Sequence, residues 1–125
     1  MKNTFSLWSA AVARGNPEVM AALVVDGSGN VQASESASPE LERTAVALLV
    51  PLRDLVDRAA ADLGCGPLRA CLTEGESASF AFADVDGYRT AVVVGRSGAA
   101  PGALRADSLW LAEKLRSAPV TAGIS

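Results

Sequence analysis

The chain has 125 residues, half of them hydrophobic, with 11 basic and 14 acidic side chains and a net charge of -3. Such a chain buries roughly two thirds of the surface it exposes unfolded, which suits a single domain over residues 1–125 and argues against two. Apolar residues spread along the chain exclude a disordered protein, and lysine and arginine scattered singly offer no footprint for nucleic acid.

From Thr4 to Arg14, Phe5, Trp8, Ala11 and Val12 recur at three- and four-residue steps, which predicts a short helix ended by Gly15-Asn16-Pro17. Val19 to Asp26 reads as a largely buried strand. Asp26-Gly27-Ser28-Gly29-Asn30 supplies turn residues before a second strand, Val31 to Glu35, so the two form a hairpin. Ser36 and Ser38 stand before Pro39 and Glu40, a start signal for a helix whose first turn tolerates proline and favours a carboxylate. Leu41, Ala45, Leu48, Leu52, Leu55, Ala59 and Leu63 continue it on one face up to Gly64, with a kink or two abutting helices expected at Pro51.

Three strands follow, Leu68 to Glu74, Ser77 to Ala83 and Tyr88 to Gly95, with turns at Gly75-Glu76 and Asp86-Gly87. In the middle strand Ala78, Phe80 and Phe82 alternate with Ser77, Ser79 and Ala81, the pattern of a sheet with one face more deeply buried. Arg96 to Gly102 is a loop, and Ala103 to Arg116 a last helix presenting Leu104, Leu111 and Leu115. Residues 117–125 read as a loose tail. The order helix, two strands, helix, three strands, helix implies a five-stranded antiparallel sheet covered by helices, an α+β architecture.

The longest apolar runs, Val19 to Val25 and Ala91 to Val94, are far shorter than the roughly 20 residues a membrane span needs. Met1 to Phe5 leads into a helix containing Arg14 rather than into a secretory signal, so a cytoplasmic location is expected. Cys65 and Cys71 fit it as reduced, buried or partly buried thiols.

Few residues carry chemistry. Histidine is absent, which removes the commonest general base and imidazole metal ligand, and the two cysteines lack the spacing of a redox or zinc motif. Asp26 to Asn30 begins like a calcium loop, but Val31 and Ala37 stand where glycine and a bidentate glutamate are needed. Gly95-Arg96-Ser97-Gly98 lacks the Gly-Lys-Ser/Thr ending of a phosphate loop. Glu74 with Glu76 and Asp84 with Asp86 flank turns and read as solvated, and Trp8 and Trp110 as anchors of the terminal helices on the sheet. No catalytic residue, cofactor site or metal site is expected, and the chain is not expected to be an enzyme.

Val19-Met20-Ala21-Ala22-Leu23-Val24-Val25-Asp26 with Gly27 and Gly29, the long central helix, and Gly102-Ala103-Leu104-Arg105 opening the last helix resemble the Roadblock/dynein light chain family. The family often has glycine near Ala21 or Ala22, where this chain has alanine. The resemblance implies a profilin-like fold and, from the bacterial-type members, a homodimer that binds a small Ras-like GTPase and alters its nucleotide cycle. It also implies that the central helix and the strand Leu68 to Glu74, with Leu68, Ala70 and Leu72, take part in dimerisation.

At 100° per residue the leucine face of the central helix centres near Leu41, Leu52 and Ala59, with Val46 and Val50 well round the cylinder. These valines either lie under a loop or form a second apolar stripe for a partner, rimmed by Arg43, Arg53, Asp54, Asp57 and Arg58. Arg43, Arg53 and Arg58 are also the arginines an arginine-finger contribution would draw on, although long charged helices bear solvated arginines routinely. The reading is an adaptor that regulates the GTPase through the GTPase's own switch segments. The alternatives are a scaffold subunit of a larger complex and a small-ligand sensor.

Overall fold

The computed structural model describes residues 4–117; the expected tail lies outside them from residue 118 onward. Three helices and five strands run in the order α1 (Thr4–Gly15), β1 (Val19–Val25), β2 (Val31–Ser36), α2 (Pro39–Asp62), β3 (Ala70–Glu74), β4 (Ala78–Asp84), β5 (Thr90–Arg96) and α3 (Pro101–Ser117). The strands form one antiparallel sheet ordered β2-β1-β5-β4-β3, so β2 and β3 are its edges.

Successive side chains of a strand point to opposite faces, and both faces here are covered. Ala22, Val24, Ala81, Ala83 and Val93 pack against α1 and α3. Ala21, Leu23, Val25, Phe82 and Val92 pack against α2. Consecutive Ala81, Phe82 and Ala83 are therefore all buried, and the expected alternation in β4 is lost. Gly95 is buried where β5 meets α3; a Cβ there would stand 2.8 Å from both Ala99 Cβ and Leu104 Cδ1. Because Leu104 is fully buried and the site has no room, Gly95→Ala is expected to lower the unfolding free energy by ~1–3 kcal/mol in urea titrations.

The β1–β2 and β4–β5 turns are held by carboxylates. Asp26 Oδ1 accepts the N–H groups of Ser28 and Asn30 at 2.9 and 3.0 Å, and Gly29 takes φ +87°, which makes the first hairpin an Asx-type turn. The Ser28 and Tyr88 hydroxyls meet at 2.8 Å, tying this turn to the β4–β5 turn. Ser38 caps α2, its hydroxyl accepting the Leu41 N–H at 3.0 Å. The helix runs as one element through Pro51, so of the two expected outcomes there the pair of abutting helices is not formed. Pro51 and Ala47, whose carbonyl loses its partner, are both exposed, so water can satisfy that oxygen.

Two expectations for the terminal helices change. Trp8 packs on the core, but Trp110 is 41% exposed, with Lys114 Nζ 5.7 Å from its ring centroid, because the buried face of α3 is Leu104, Ser108, Leu111, Ala112 and Leu115. On α1, Ala11 is exposed while Phe5, Ser9, Ala10 and Val12 are buried.

Candidate partner interface

The α2 helix packs on the sheet through Ala45, Leu49 and Arg53, a line about 75° round the cylinder from the centre of the leucine face. Val46 and Val50 consequently turn toward the sheet and are partly buried in its core. They do not form an outward stripe. Val50 lines a cleft of about 210 Å³ with Asp26, Gly27, Tyr88 and Thr90. The outward apolar stripe is instead leucine: Leu48 is 63% and Leu55 62% exposed, beside half-buried Leu41 and Leu52 and exposed Ala59.

Arg53 lies on this inner line. It was expected on a charged rim, yet it is 7% exposed and faces the β4–β5 hairpin. Its Nη1 donates to the Arg89 carbonyl at 2.8 Å and to the Thr90 hydroxyl at 2.6 Å, and its Nη2 pairs with Asp84. Its Nε lies 3.6 Å from half-buried Asp57, one helical turn on. A guanidinium so committed is not free to act as a finger. Arg43, Asp54 and Arg58 remain exposed on the outer side of α2, where a rim belongs.

Asp84 and Asp86 are thus not idle turn carboxylates. Asp84 Oδ1 also accepts the Gly87 N–H at 2.8 Å. Burial pushes the Asp86 carboxyl up, but the Arg89 N–H and guanidinium and the Tyr88 N–H outweigh it and hold the carboxyl below its ordinary value of 3.8. A depressed carboxyl stabilises the fold above the unfolded-state value, and that contribution is lost as pH falls through the folded one. Asp86→Asn is therefore expected to weaken the acid-side fall of stability below pH 3.8, read as melting temperature against pH.

The remaining predicted interface residues separate. Leu68 precedes β3 and is buried under α2. Ala70 packs on the α3 side of the sheet, and Leu72, also on that side by register with Ala81, is 37% exposed. On the α2 side, Phe80 and Val94 are only partly buried. The result is a leucine stripe on α2, an incompletely covered sheet face, and an edge strand, β3, bonded on one side only. Among the described residues no helix is long and apolar enough to cross a membrane, and no three acidic or cysteine side chains gather as metal ligands.

No protein-family model and no curated protein sequence matches the chain. Solved structures do. A Roadblock/LC7 domain from Streptomyces avermitilis superposes with a TM-score of 0.78 at 18% identity, over 89% of this chain and 93% of that one. Myxococcus xanthus MglB gives 0.79 at 14%, over 90% and 91%. Profilin II of Acanthamoeba castellanii gives 0.60 at 16%, over 90% and 97%. The chain therefore has the Roadblock/LC7 fold, a profilin-like architecture.

Proposed function

We propose that this chain, built on the Roadblock/LC7 fold, is a non-catalytic homodimeric adaptor that binds and regulates a small Ras-like GTPase. The observation that carries the reading is the leucine stripe of α2, with Leu48 and Leu55 more than half exposed on a helix whose inner face is already packed. Singly exposed leucines are ordinary, but a row of them beside a partly covered sheet face marks an interaction site. A second copy related by a two-fold axis lays the stripe against itself, an isologous contact, and brings the two β3 edges together. Exposed Arg43, Asp54 and Arg58 at the rim then select the partner more than they add affinity.

The bacterial members of the family that the sequence resembles supply the partner class. In this reading the GTPase carries the chemistry, and the adaptor holds its switch segments. The absence of histidine and the engagement of Asp26, Asp84 and Asp86 in turn and helix contacts support a role without catalysis. Light scattering on the purified full chain is expected to return twice the 12.8 kDa chain mass; a mass of one chain would count against the dimer.

A further inference from the structure

We infer that the cleft between the two hairpin turns and α2 is a docking site for an arginine side chain of a partner protein, stacked on Tyr88 and paired with Asp54. Three elements converge there, around about 210 Å³: Asp26 and Gly27 from the β1–β2 turn, Gly87 and Tyr88 from the β4–β5 turn, and Val50 and Asp54 from α2. The Tyr88 ring rests on Gly27, where a Cβ would stand 2.7 Å from Cε1, and its hydroxyl meets that of Ser28 at 2.8 Å. Held at ring and hydroxyl, the side chain is still 53% exposed. An aromatic ring already fixed in place loses little freedom when a partner covers it, which is what an interface anchor requires.

The charge of the cleft selects its occupant. Arg53 also lines it, but that guanidinium is already paired with Asp84 and Asp57. Among the described residues no cation pairs with exposed Asp54, or with Asp26, which accepts only N–H groups of its own turn. Two carboxylates without a cation beside an open aromatic ring suit a guanidinium, whose plane stacks on the ring while its N–H groups donate to a carboxylate. Asp54 is the acceptor, and Asp26, already hydrogen-bonded, contributes charge alone. Val50 and Asp54 lie about 165° round α2 from the centre of the leucine face, so a dimer built on that face leaves the cleft in water. A larger cleft of about 370 Å³ beside Cys65, which is exposed rather than buried or partly buried as expected, instead adjoins the β3 edge that a second copy covers. The docking site is complete in the single chain and depends on neither the dimer nor the GTPase.

The test titrates the isotope-labelled full chain with N-acetyl-arginine amide and, separately, with uncharged N-acetyl-citrulline amide, followed through backbone amide NMR shifts. Arginine amide is expected to move the Gly27, Asp54, Gly87 and Tyr88 amides along one saturating curve, and citrulline amide to leave them in place. Free arginine, which carries its own carboxylate, is expected to bind more weakly than the capped residue, as suits a side chain presented by a protein. Asp54→Asn and Tyr88→Leu should each raise the dissociation constant for arginine amide about threefold with the rest of the spectrum intact, while Tyr88→Phe, which keeps the ring, should stay within about twofold of wild type. Absence of a saturable shift at the cleft, shifts spread equally to Glu74 and Glu76, an equal response to citrulline amide, tighter binding of free arginine, or unchanged affinity in either Asp54→Asn or Tyr88→Leu would overturn the inference.

Discussion

Replacing Leu48 and Leu55 together by aspartate is expected to give a monomer that folds and melts much as the wild-type chain does at low concentration. Both side chains are already mostly in water, at 63% and 62% exposure, so the isolated fold loses little, within ~0.5 kcal/mol for each. In a dimer built on the stripe, the same positions sit at its centre, where an unpaired carboxylate is costly to bury. The dissociation constant should rise at least about 100-fold, as sedimentation velocity over a dilution series would read. An unchanged constant with an intact fold would take the leucine stripe out of the interface.

The second large effect belongs to Arg53. Arg53→Met keeps the aliphatic stem but leaves Asp84, the Arg89 carbonyl and the Thr90 hydroxyl without their shared donor. Removing one member of a buried pair costs ~3–5 kcal/mol, and a loss of about that size is expected in denaturant titrations. Arg43→Ala and Arg58→Ala, at exposed positions, should stay within ~0.5 kcal/mol of wild type. Adding Asp84→Asn to Arg53→Met should cost less than the sum of the single losses, because the two side chains share one interaction. The contrast also fixes how arginine fingers are to be sought. In a turnover assay Arg43 and Arg58 can be removed without disturbing the fold, whereas removal of Arg53 would report instability.

Element order was legible because it rests on local signals. Helical spacing marked α1, α2 and α3, Asp26 to Asn30 marked the first hairpin, and Ser38 with Pro39 opened α2 at the observed residues. What the sequence hid is tertiary. The leucine-rich face of α2 is plain in the sequence, but the helix lies on the sheet through Ala45, Leu49 and Arg53, whose stem fills space while its charge reaches Asp84. Arg53 and Asp84 stand 31 residues apart, so no local spacing announces the pair. A buried arginine also contradicts the ordinary rule that arginine stays in water.

The interface was half legible for the same reason. The α2 helix and the strand near β3 were singled out through the family resemblance, and Arg43, Asp54 and Arg58 are exposed where a rim is needed. Val46 and Val50 face inward, whereas of the leucine face Leu41 and Leu52 pack partly on the core and Leu48 and Leu55 face outward. Hydrophobic pattern fixes that a helix has an apolar face; it does not say which part the sheet takes and which is left for a partner. Trp110 shows the same limit, since its ring size invites a core assignment that the buried stripe of α3 does not honour.

Affinity capture from native cell lysate tests the nucleotide-dependent partnership with a Ras-like GTPase most directly. The tagged full chain is used as bait with either a GTP analogue or GDP, and the captured proteins are identified by mass spectrometry. A Ras-like GTPase is expected to be enriched with one nucleotide over the other and lost with the Leu48→Asp/Leu55→Asp bait. Capture only of assembly subunits indifferent to nucleotide, or of no GTPase with either nucleotide, would contradict it.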